Sequence, residues 1–239
     1  LDSKSYQALL LDLDGTLLNI EVESFILAYV DALASRFASY MGKEEFAGHL
    51  FGSTNAMIEN RDPFKKNRVA FYEDFCHRTK LDYETIEPIV DGFYQNDFPA
   101  LDCWGKEQPA AKEVVKNAQA KGLTLILATS PIFPLTAIRQ RLSWAGLAEE
   151  DFALITSMDN MHFCKPNPEY YAEIAVRIGC HPTHCLMAGN DTLEDLVAAE
   201  VGMDTFLVED FILHRTSANP VYSYRGSLKD LAHFISQLG

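Results

Sequence analysis

Long apolar runs, paired cysteines and a surplus of basic residues are all missing from this sequence. No segment reaches the roughly 20 consecutive apolar residues that a membrane-spanning helix needs. The apolar run 8–11 is too short for a secretory signal core, and Asp12 interrupts it. The five cysteines form no CxxC pair. Because this cysteine usage is typical of a reducing compartment, we expect a cytoplasmic protein.

The charge balance is strongly acidic, with 34 aspartates and glutamates against 20 lysines and arginines. Nucleic-acid backbones and anionic lipid surfaces are bound by basic surfaces. We therefore expect neither a nucleic acid nor a membrane as a partner. Hydrophobic residues make up 48% of the 239 residues, which indicates a folded chain with a sizeable core.

Short apolar runs alternate with helical patterns from about residue 105 onward. Together with the N-terminal run, the apolar runs are residues 8–11, 123–128, 152–155, 185–188 and 205–208. The helical patterns are residues 110–121, 135–145, 168–178, 193–200 and 228–238. Strands that are apolar throughout are typical of parallel sheets covered on both faces by helices. We predict an α/β fold with a doubly wound, Rossmann-like parallel sheet, formed by residues 1–19 and 99–239.

Residues 20–98 differ from the rest of the chain, because they contain no strand-like apolar run. Aromatic and aliphatic residues recur at helical spacing within residues 25–40. Further helical patterns cover residues 44–50, 63–79 and 83–96. We predict that residues 20–98 form an all-helical insertion between the first and second strands of the core.

Reactive side chains follow four of the predicted strands. They are Asp12 and Asp14 after the first, Thr129 and Ser130 after the second, Lys165 after the third, and Asp191 with Asp195 after the fourth. Each one alone fits a turn, a helix cap or a solvated surface. The carboxyl ends of parallel strands meet at one edge of a sheet, so we expect these side chains to form a single site.

Several carboxylates with one lysine at the same edge indicate phosphoryl transfer. Crowded carboxylates resist joint ionisation, and a hard divalent cation such as Mg²⁺ relieves their repulsion. With Mg²⁺ bound, such a site can accept a phosphate group that a lysine and a hydroxyl help to position. One aspartate can attack phosphorus while a second carboxylic acid protonates the leaving oxygen. We expect Mg²⁺ as the cofactor and a small phosphorylated substrate.

The motifs resemble those of the haloacid dehalogenase-like superfamily of hydrolases, in its phosphatase type with a helical cap. The matching segments are Asp12-x-Asp14-Gly15-Thr16, Thr129, Lys165-Pro166 and Gly189-Asn190-Asp191-x-x-x-Asp195. The resemblance spans nearly the whole chain. It implies a phosphoric monoester hydrolase that works through an aspartyl-phosphate intermediate.

The resemblance also implies a role for each matching residue. Asp12 is expected to be the nucleophile and a metal ligand. Asp14 is expected to be the general acid and base, with its backbone carbonyl on the metal. Thr129 and Lys165 are expected to bind the phosphoryl group, and Asp191 to complete the metal site.

Some assignments stay open at this point. Ser130 follows Thr129 and is expected to line the substrate side. Asp195 fits either a further metal ligand or a residue that contacts the ligands without touching the metal. The basic residues within 61–80 fit either a solvated helix face or a contact with an anionic substrate.

Asp14 separates two activities within the superfamily, because the dehalogenases that name it lack an aspartate two residues after the nucleophile. A phosphatase is therefore the favoured reading. A phosphomutase, which uses the same motifs, remains an alternative. A non-catalytic or receiver-like phosphate-responsive binding protein is an alternative from another class. The sequence predicts neither the natural substrate nor the oligomeric state.

Overall fold

A parallel sheet lies at the centre of the computed structural model, which describes residues 5–215 and 220–239. The strands are β1 (Ala8–Leu11), β2 (Leu18–Ile20), β3 (Gly105–Glu107), β4 (Thr124–Leu127), β5 (Leu154–Ile155), β6 (Cys185–Gly189), β7 (Asp204–Val208) and β8 (Tyr224–Gly226). Six of them form one sheet in the order β5-β4-β1-β6-β7-β8, with every neighbouring pair parallel. The strand order reverses at β1, which confirms the predicted doubly wound sheet.

Helices cover both faces of this sheet. The α-helices of the described residues are α1 (Val22–Arg36), α2 (Lys43–Glu59), α3 (Asn67–Thr79), α4 (Tyr83–Asn96), α5 (Ala111–Ala120), α6 (Leu135–Trp144), α7 (Pro168–Ile178) and α8 (Leu228–Ser236). Leu9 and Leu11 of β1 share one apolar core with α5, α6 and α8. Ala8 and Leu10 share the other core with α7. None of the helices in the described ranges has both the length and the hydropathy to cross a bilayer.

The helices α1–α4 lie between β2 and β3, two short strands that the sequence did not predict. These strands pair antiparallel, with Leu18 opposite Glu107 and Ile20 opposite Gly105. The chain therefore enters and leaves the helical segment side by side. The buried side chains of α1–α4 belong to the same apolar core as Leu9 and Leu11, so the helices pack directly against the rest of the chain.

The helix predicted over residues 193–200 is wrong in type and position. A 3₁₀-helix covers Leu196–Val201 instead. The carboxylate of Asp191 accepts hydrogen bonds from the backbone N–H groups of Leu193 at 2.8 Å and Glu194 at 3.0 Å. This turn occupies the residues that would have begun the helix. Two smaller differences are that α2 continues to Glu59 and that α3 begins at Asn67 rather than at residue 63.

Asn67 anchors the helical segment to the loops that follow β4 and β5. Its side chain is fully buried, and Nδ2 donates to the carbonyls of Pro131 at 3.4 Å and Phe163 at 3.2 Å. Its backbone N–H donates to the carbonyl of Met161 at 2.9 Å. An alanine at this position would leave buried carbonyl groups with fewer partners.

We expect Asn67→Ala to lower the free energy of unfolding by about 1–3 kcal/mol, because it removes a buried amide with its hydrogen bonds. Urea unfolding monitored by circular dichroism measures this loss. Asn96→Ala is the matched control, since the exposed Asn96 amide contacts only the carbonyl of Gly92 in its own helix. An equal loss in both variants would contradict the anchoring role of Asn67.

Candidate active site

A cavity of about 290 Å³ opens at the carboxyl ends of β1, β4 and β6, facing α1 and α2. Its polar lining includes Asp12, Asp14, Thr129, Ser130, Arg141, Asn190, Asp191, Glu194, Asp195 and Arg215. Its apolar lining includes Val22, Phe25, Ile26, Phe51, Ile58, Ile132 and Phe133. Six of the seven residues singled out from the sequence therefore line one cavity, and the seventh, Lys165, contacts Asp12.

Asp12 is held at the end of β1 by β6 and by the turn that follows β1. Its backbone N–H donates to the carbonyl of Ala188 in β6 at 3.0 Å. The Thr16 hydroxyl lies 3.4 Å from Asp12 Oδ2 and 3.1 Å from the side-chain oxygen of Asn190. Gly15 has a φ of +78°, and a Cβ there would lie 2.3 Å from Asn190 Nδ2. The turn after β1 therefore requires glycine at position 15.

Lys165 is a buried cation between two carboxylates. Its Nζ donates to Asp12 Oδ1 at 2.8 Å and to Asp195 Oδ1 at 2.6 Å, and the side chain is 1% exposed. Burial alone would lower the pKa of Lys165, but the charges of Asp12 and Asp195 raise it well above its usual value. Lys165 therefore carries a permanent positive charge beside Asp12.

The turn after β6 brings Asp191 and Asp195 together. The backbone N–H of Asp191 donates to Asp195 Oδ2 at 2.9 Å, and the other oxygen of Asp195 accepts from Lys165. Gly189 is required here, because a Cβ would lie 2.1 Å from Asp195 Oδ2. Asp195 therefore links Lys165 to the backbone of the turn after β6.

Burial is the largest influence on the pKa values of Asp12 and Asp195. It raises the pKa of Asp12, an effect that Lys165 opposes and the charges of Asp14 and Glu194 reinforce. Burial also raises the pKa of Asp195 to about 7, against the opposing charge of Lys165. These carboxylates are therefore costly to ionise together without additional positive charge.

Thr129 and Ser130 follow Ala128, the first residue after β4. The backbone N–H of Ala128 donates to the carbonyl of Leu11 at 2.8 Å, which places Thr129 beside the end of β1. The carbonyl of Thr129 accepts from the hydroxyls of Tyr170 and Thr156, both at 2.9 Å. These two hydroxyls therefore fix the backbone of Thr129 in place.

Two arginines belong to this site although the sequence analysis did not select them. Arg141 on α6 is 1% exposed, and its Nη1 pairs with Asp14 Oδ2. Arg215 Nε lies 3.0 Å from Asp191 Oδ2, and its Nη1 lies 3.0 Å from Glu194 Oε1. Arg141 had a detectable signal, because it occupies the apolar stripe of its helix, next to buried Ala137, Ile138 and Leu142. Arg215 lies in the segment after β7, seven residues beyond the end of that strand, and in no regular hydrophobic pattern.

The charges and donor atoms of the site suit a divalent cation. Among the described residues that line the cavity or contact Asp12, the carboxylates are Asp12, Asp14, Asp191, Glu194 and Asp195. The cations in the same set are Arg141, Lys165 and Arg215. If all are ionised, these five carboxylates and three cations leave two negative charges.

The oxygen donors for such a cation come from few side chains. Within the described residues, no three side chains of the Asp, Glu, His and Cys types converge as a metal site. A metal ion would therefore be bound by the carboxylates of Asp12 and Asp191 and by the backbone carbonyl of Asp14. This set suits Mg²⁺, which commonly takes one or two carboxylates and fills its shell with water and substrate phosphate oxygens.

Comparison with known proteins connects this site to one family. The model that describes haloacid dehalogenase-like hydrolases matches residues 6–202. The chain is 25% identical to the protein named pyrophosphatase PpaX of Halalkalibacterium halodurans, over 232 residues that cover 95% of each chain. It is 22% identical to the PpaX of Oceanobacillus iheyensis over 196 residues, which cover 82% of this chain and 79% of that one.

Solved structures resemble the chain along almost its whole length. A haloacid dehalogenase-type phosphatase of Thermococcus onnurineus matches with a TM-score of 0.58 and 19% identity, covering 96% of this chain and 97% of that one. The L-2-haloacid dehalogenase of Xanthobacter autotrophicus also matches at 0.58, with 15% identity and coverage of 98% and 100%. The hydrolase YfnB of Bacillus subtilis, bound to magnesium, matches at 0.58, with 20% identity and coverage of 97% and 99%. At these identities the likeness shows the fold alone, and the fold is shared by phosphatases and dehalogenases.

Proposed function

The chain belongs to the haloacid dehalogenase-like hydrolase family, and we propose that within it the chain is a Mg²⁺-dependent phosphatase. The substrate is a small phosphorylated metabolite, and the reaction passes through a phosphorylated Asp12. Phosphoric monoesters are the proposed substrate class. Pyrophosphate is a second candidate substrate, because two relatives of similar length are named pyrophosphatases.

The observation that carries this proposal is the carboxyl of Asp14 in the same cavity as Asp12. A halide leaves carbon as a stable anion and needs no proton. An alcohol leaves phosphorus as an alkoxide that a nearby acid must protonate. A second carboxyl beside the nucleophile therefore supports the hydrolysis of phosphate esters over the cleavage of carbon–halogen bonds.

The proposed reaction has two steps. The carboxylate of Asp12 attacks phosphorus, and the bond to the leaving oxygen breaks as Asp14 protonates that oxygen. Asp14 then takes a proton from a water molecule, whose oxygen attacks the phosphorus of the aspartyl-phosphate and releases inorganic phosphate and free Asp12. Thr129, Ser130 and Lys165 are assigned to the phosphoryl group, with Lys165 offsetting negative charge at Asp12.

Mg²⁺, held by Asp12, Asp191 and the carbonyl of Asp14, would supply positive charge that binds the phosphoryl oxygens and stabilises the transition state. The ion pair between Lys165 and Asp195 holds the nucleophile and the turn after β6 in place. Because the side chain of Asp195 is 1% exposed and its Oδ1 binds the buried Lys165, we assign Asp195 to a supporting position that contacts the site without touching the metal.

Residues 20–98 are proposed to be a cap over a core formed by residues 1–19 and 99–239. In support, Phe25 and Ile26 of α1 and Phe51 and Ile58 of α2 form much of the apolar wall of the cavity. A cap that closes over the site would exclude bulk water during the first step and admit a water molecule for the second.

The hydrolysis of p-nitrophenyl phosphate tests the phosphatase assignment. We expect phosphate release that requires Mg²⁺, stops with a chelator and returns when Mg²⁺ is restored. The melting temperature should rise with Mg²⁺ concentration, because a ligand that binds only the folded state stabilises it. Failure to release phosphate from p-nitrophenyl phosphate, from pyrophosphate and from a panel of phosphorylated metabolites would contradict the proposal. Transfer of the phosphoryl group to a second hydroxyl of a sugar phosphate would instead identify a phosphomutase.

A further inference from the structure

The guanidinium of Arg141 is buried at the cavity with part of its hydrogen-bonding capacity unused. Its Nη1 pairs with Asp14. Its Nε and Nη2 have no hydrogen-bond partner among the described residues, and the same holds for Asp14 Oδ1. Unpaired buried donors cost free energy of folding, so their presence at a cavity calls for a reason beyond packing.

The two unpaired nitrogens of Arg141 lie on the same edge of the guanidinium. In a guanidinium, the Nε–H and one N–H of Nη2 point in the same direction and match the paired oxygens of a carboxylate or phosphoryl group. The ring of Phe133 lies 4.3 Å from Cζ and the ring of Phe25 lies 5.9 Å from it. These contacts restrict the plane of the guanidinium and hold the edge in one orientation.

We infer that the Nε–Nη2 edge of Arg141 binds an oxyanion on the leaving group of the substrate. This inference rests on the proposed phosphatase function. It identifies the substrate class as phosphate compounds whose leaving group is itself anionic, through a carboxylate or a second phosphoryl group. Because Nη1 holds Asp14, one side chain aligns both the leaving group and the acid that protonates it.

The surroundings of Arg141 favour this role over that of a general counter-charge. Lys165 and Arg215 are each bound to two carboxylates. The rings of Phe25 and Phe133 lie against the Arg141 guanidinium, and Ile132 is a further apolar residue of the cavity lining. A hydrogen bond to a charged group is stronger in such low-dielectric surroundings than in water. A neutral leaving group would leave the free edge of Arg141 unpaired in the complex.

The test compares Arg141→Met with the wild-type protein on substrates that differ in leaving-group charge. Pyrophosphate and phosphoglycolate have anionic leaving groups, and n-propyl phosphate has a neutral one. We expect the wild-type protein to prefer the anionic pair in kcat/KM. In Arg141→Met this preference should fall roughly 10- to 100-fold, the range expected for losing a hydrogen-bonded charge. For Arg141→Lys, which keeps the charge but loses the planar edge, we expect a preference between those of the wild-type protein and Arg141→Met.

Arg139→Met is the matched control, because Arg139 lies on the same helix, is half-exposed and pairs with Glu149 outside the cavity. Its preference should equal that of the wild-type protein. A uniform loss on all substrates in Arg141→Met would overturn the inference and leave Arg141 as a partner of Asp14 only. A wild-type protein that hydrolyses n-propyl phosphate as well as the anionic pair would overturn it too. Absence of all hydrolysis would instead contradict the proposed function.

Binding of phosphonates, which have no ester bond to hydrolyse, to the wild-type protein tests the inference even if the Arg141 variants do not fold. Calorimetry with Mg²⁺ would compare phosphonoacetate, methylenediphosphonate and propylphosphonate. We expect at least one of the two probes with a second anionic group to bind about 10-fold or more tightly than propylphosphonate. Tighter phosphonoacetate identifies a carboxylate as the recognised group, and tighter methylenediphosphonate identifies a second phosphoryl group. Equal affinity for all three would overturn the inference.

Discussion

Asp12→Asn is expected to lower the Mg²⁺-dependent kcat for p-nitrophenyl phosphate by at least about 10³-fold, the scale seen when a covalent nucleophile is removed. The amide cannot form an acyl-phosphate by attack on phosphorus, whereas the shape of the side chain is preserved. Steady-state assays with the purified variant measure the loss. Mass spectrometry of the acid-quenched wild-type reaction should show one added phosphoryl group on the peptide that contains Asp12, and that mass should be missing from the variant.

The same substitution should not destabilise the metal-free protein. Burial raises the pKa of Asp12, so its charge is unfavourable when Mg²⁺ is removed by a chelator, and an uncharged amide relieves that cost. We expect a melting temperature equal to or above that of the wild-type protein. Asp102→Asn, at an exposed position of the 3₁₀-helix Phe98–Trp104, is the control and should keep full activity. Retained activity in Asp12→Asn would refute its role as the nucleophile.

The central sheet was predictable because burial on both faces leaves a clear trace in the sequence. The four residues of β1 are all buried, and the same uniform apolar character marks β6. The strands that were missed, β2, β3 and β8, have three residues each and are partly exposed. A strand of three residues is too short to show a clear apolar run or alternation in the sequence. Its pairing is decided by tertiary contacts.

The site was predictable to the extent that it lies at strand ends. Asp12, Thr129 and Asp191 lie within two residues of the ends of buried strands, so the parallel topology alone brings them to one cavity. Arg141 reaches the same cavity from the last turn of α6, and Arg215 from the segment after β7. Their convergence depends on how a helix and a loop pack against the sheet edge, which residue spacing in the sequence does not encode.

Lys165→Met should have the largest effect on stability. Lys165 is 1% exposed, and its partners Asp12 and Asp195 are 11% and 1% exposed in their side chains. Removing the cation leaves two buried carboxylates without their counter-charge, so we expect the free energy of unfolding to fall by about 3–5 kcal/mol. Guanidinium unfolding in the presence of a chelator measures this loss without a contribution from Mg²⁺. Lys229→Met, at an exposed position of α8, should stay within about 0.5 kcal/mol of the wild-type protein.

A double-mutant cycle separates this electrostatic loss from a loss of packing. Asp195→Asn keeps an oxygen that can accept the N–H of Asp191 but removes one of the two carboxylate charges. If the unpaired charge is the cause, Lys165→Met combined with Asp195→Asn should be more stable than Lys165→Met alone, because fewer uncompensated charges remain buried. If the shape of the lysine chain is the cause, the two losses should simply add. Additivity would therefore refute the view that Lys165 stabilises the site through its charge.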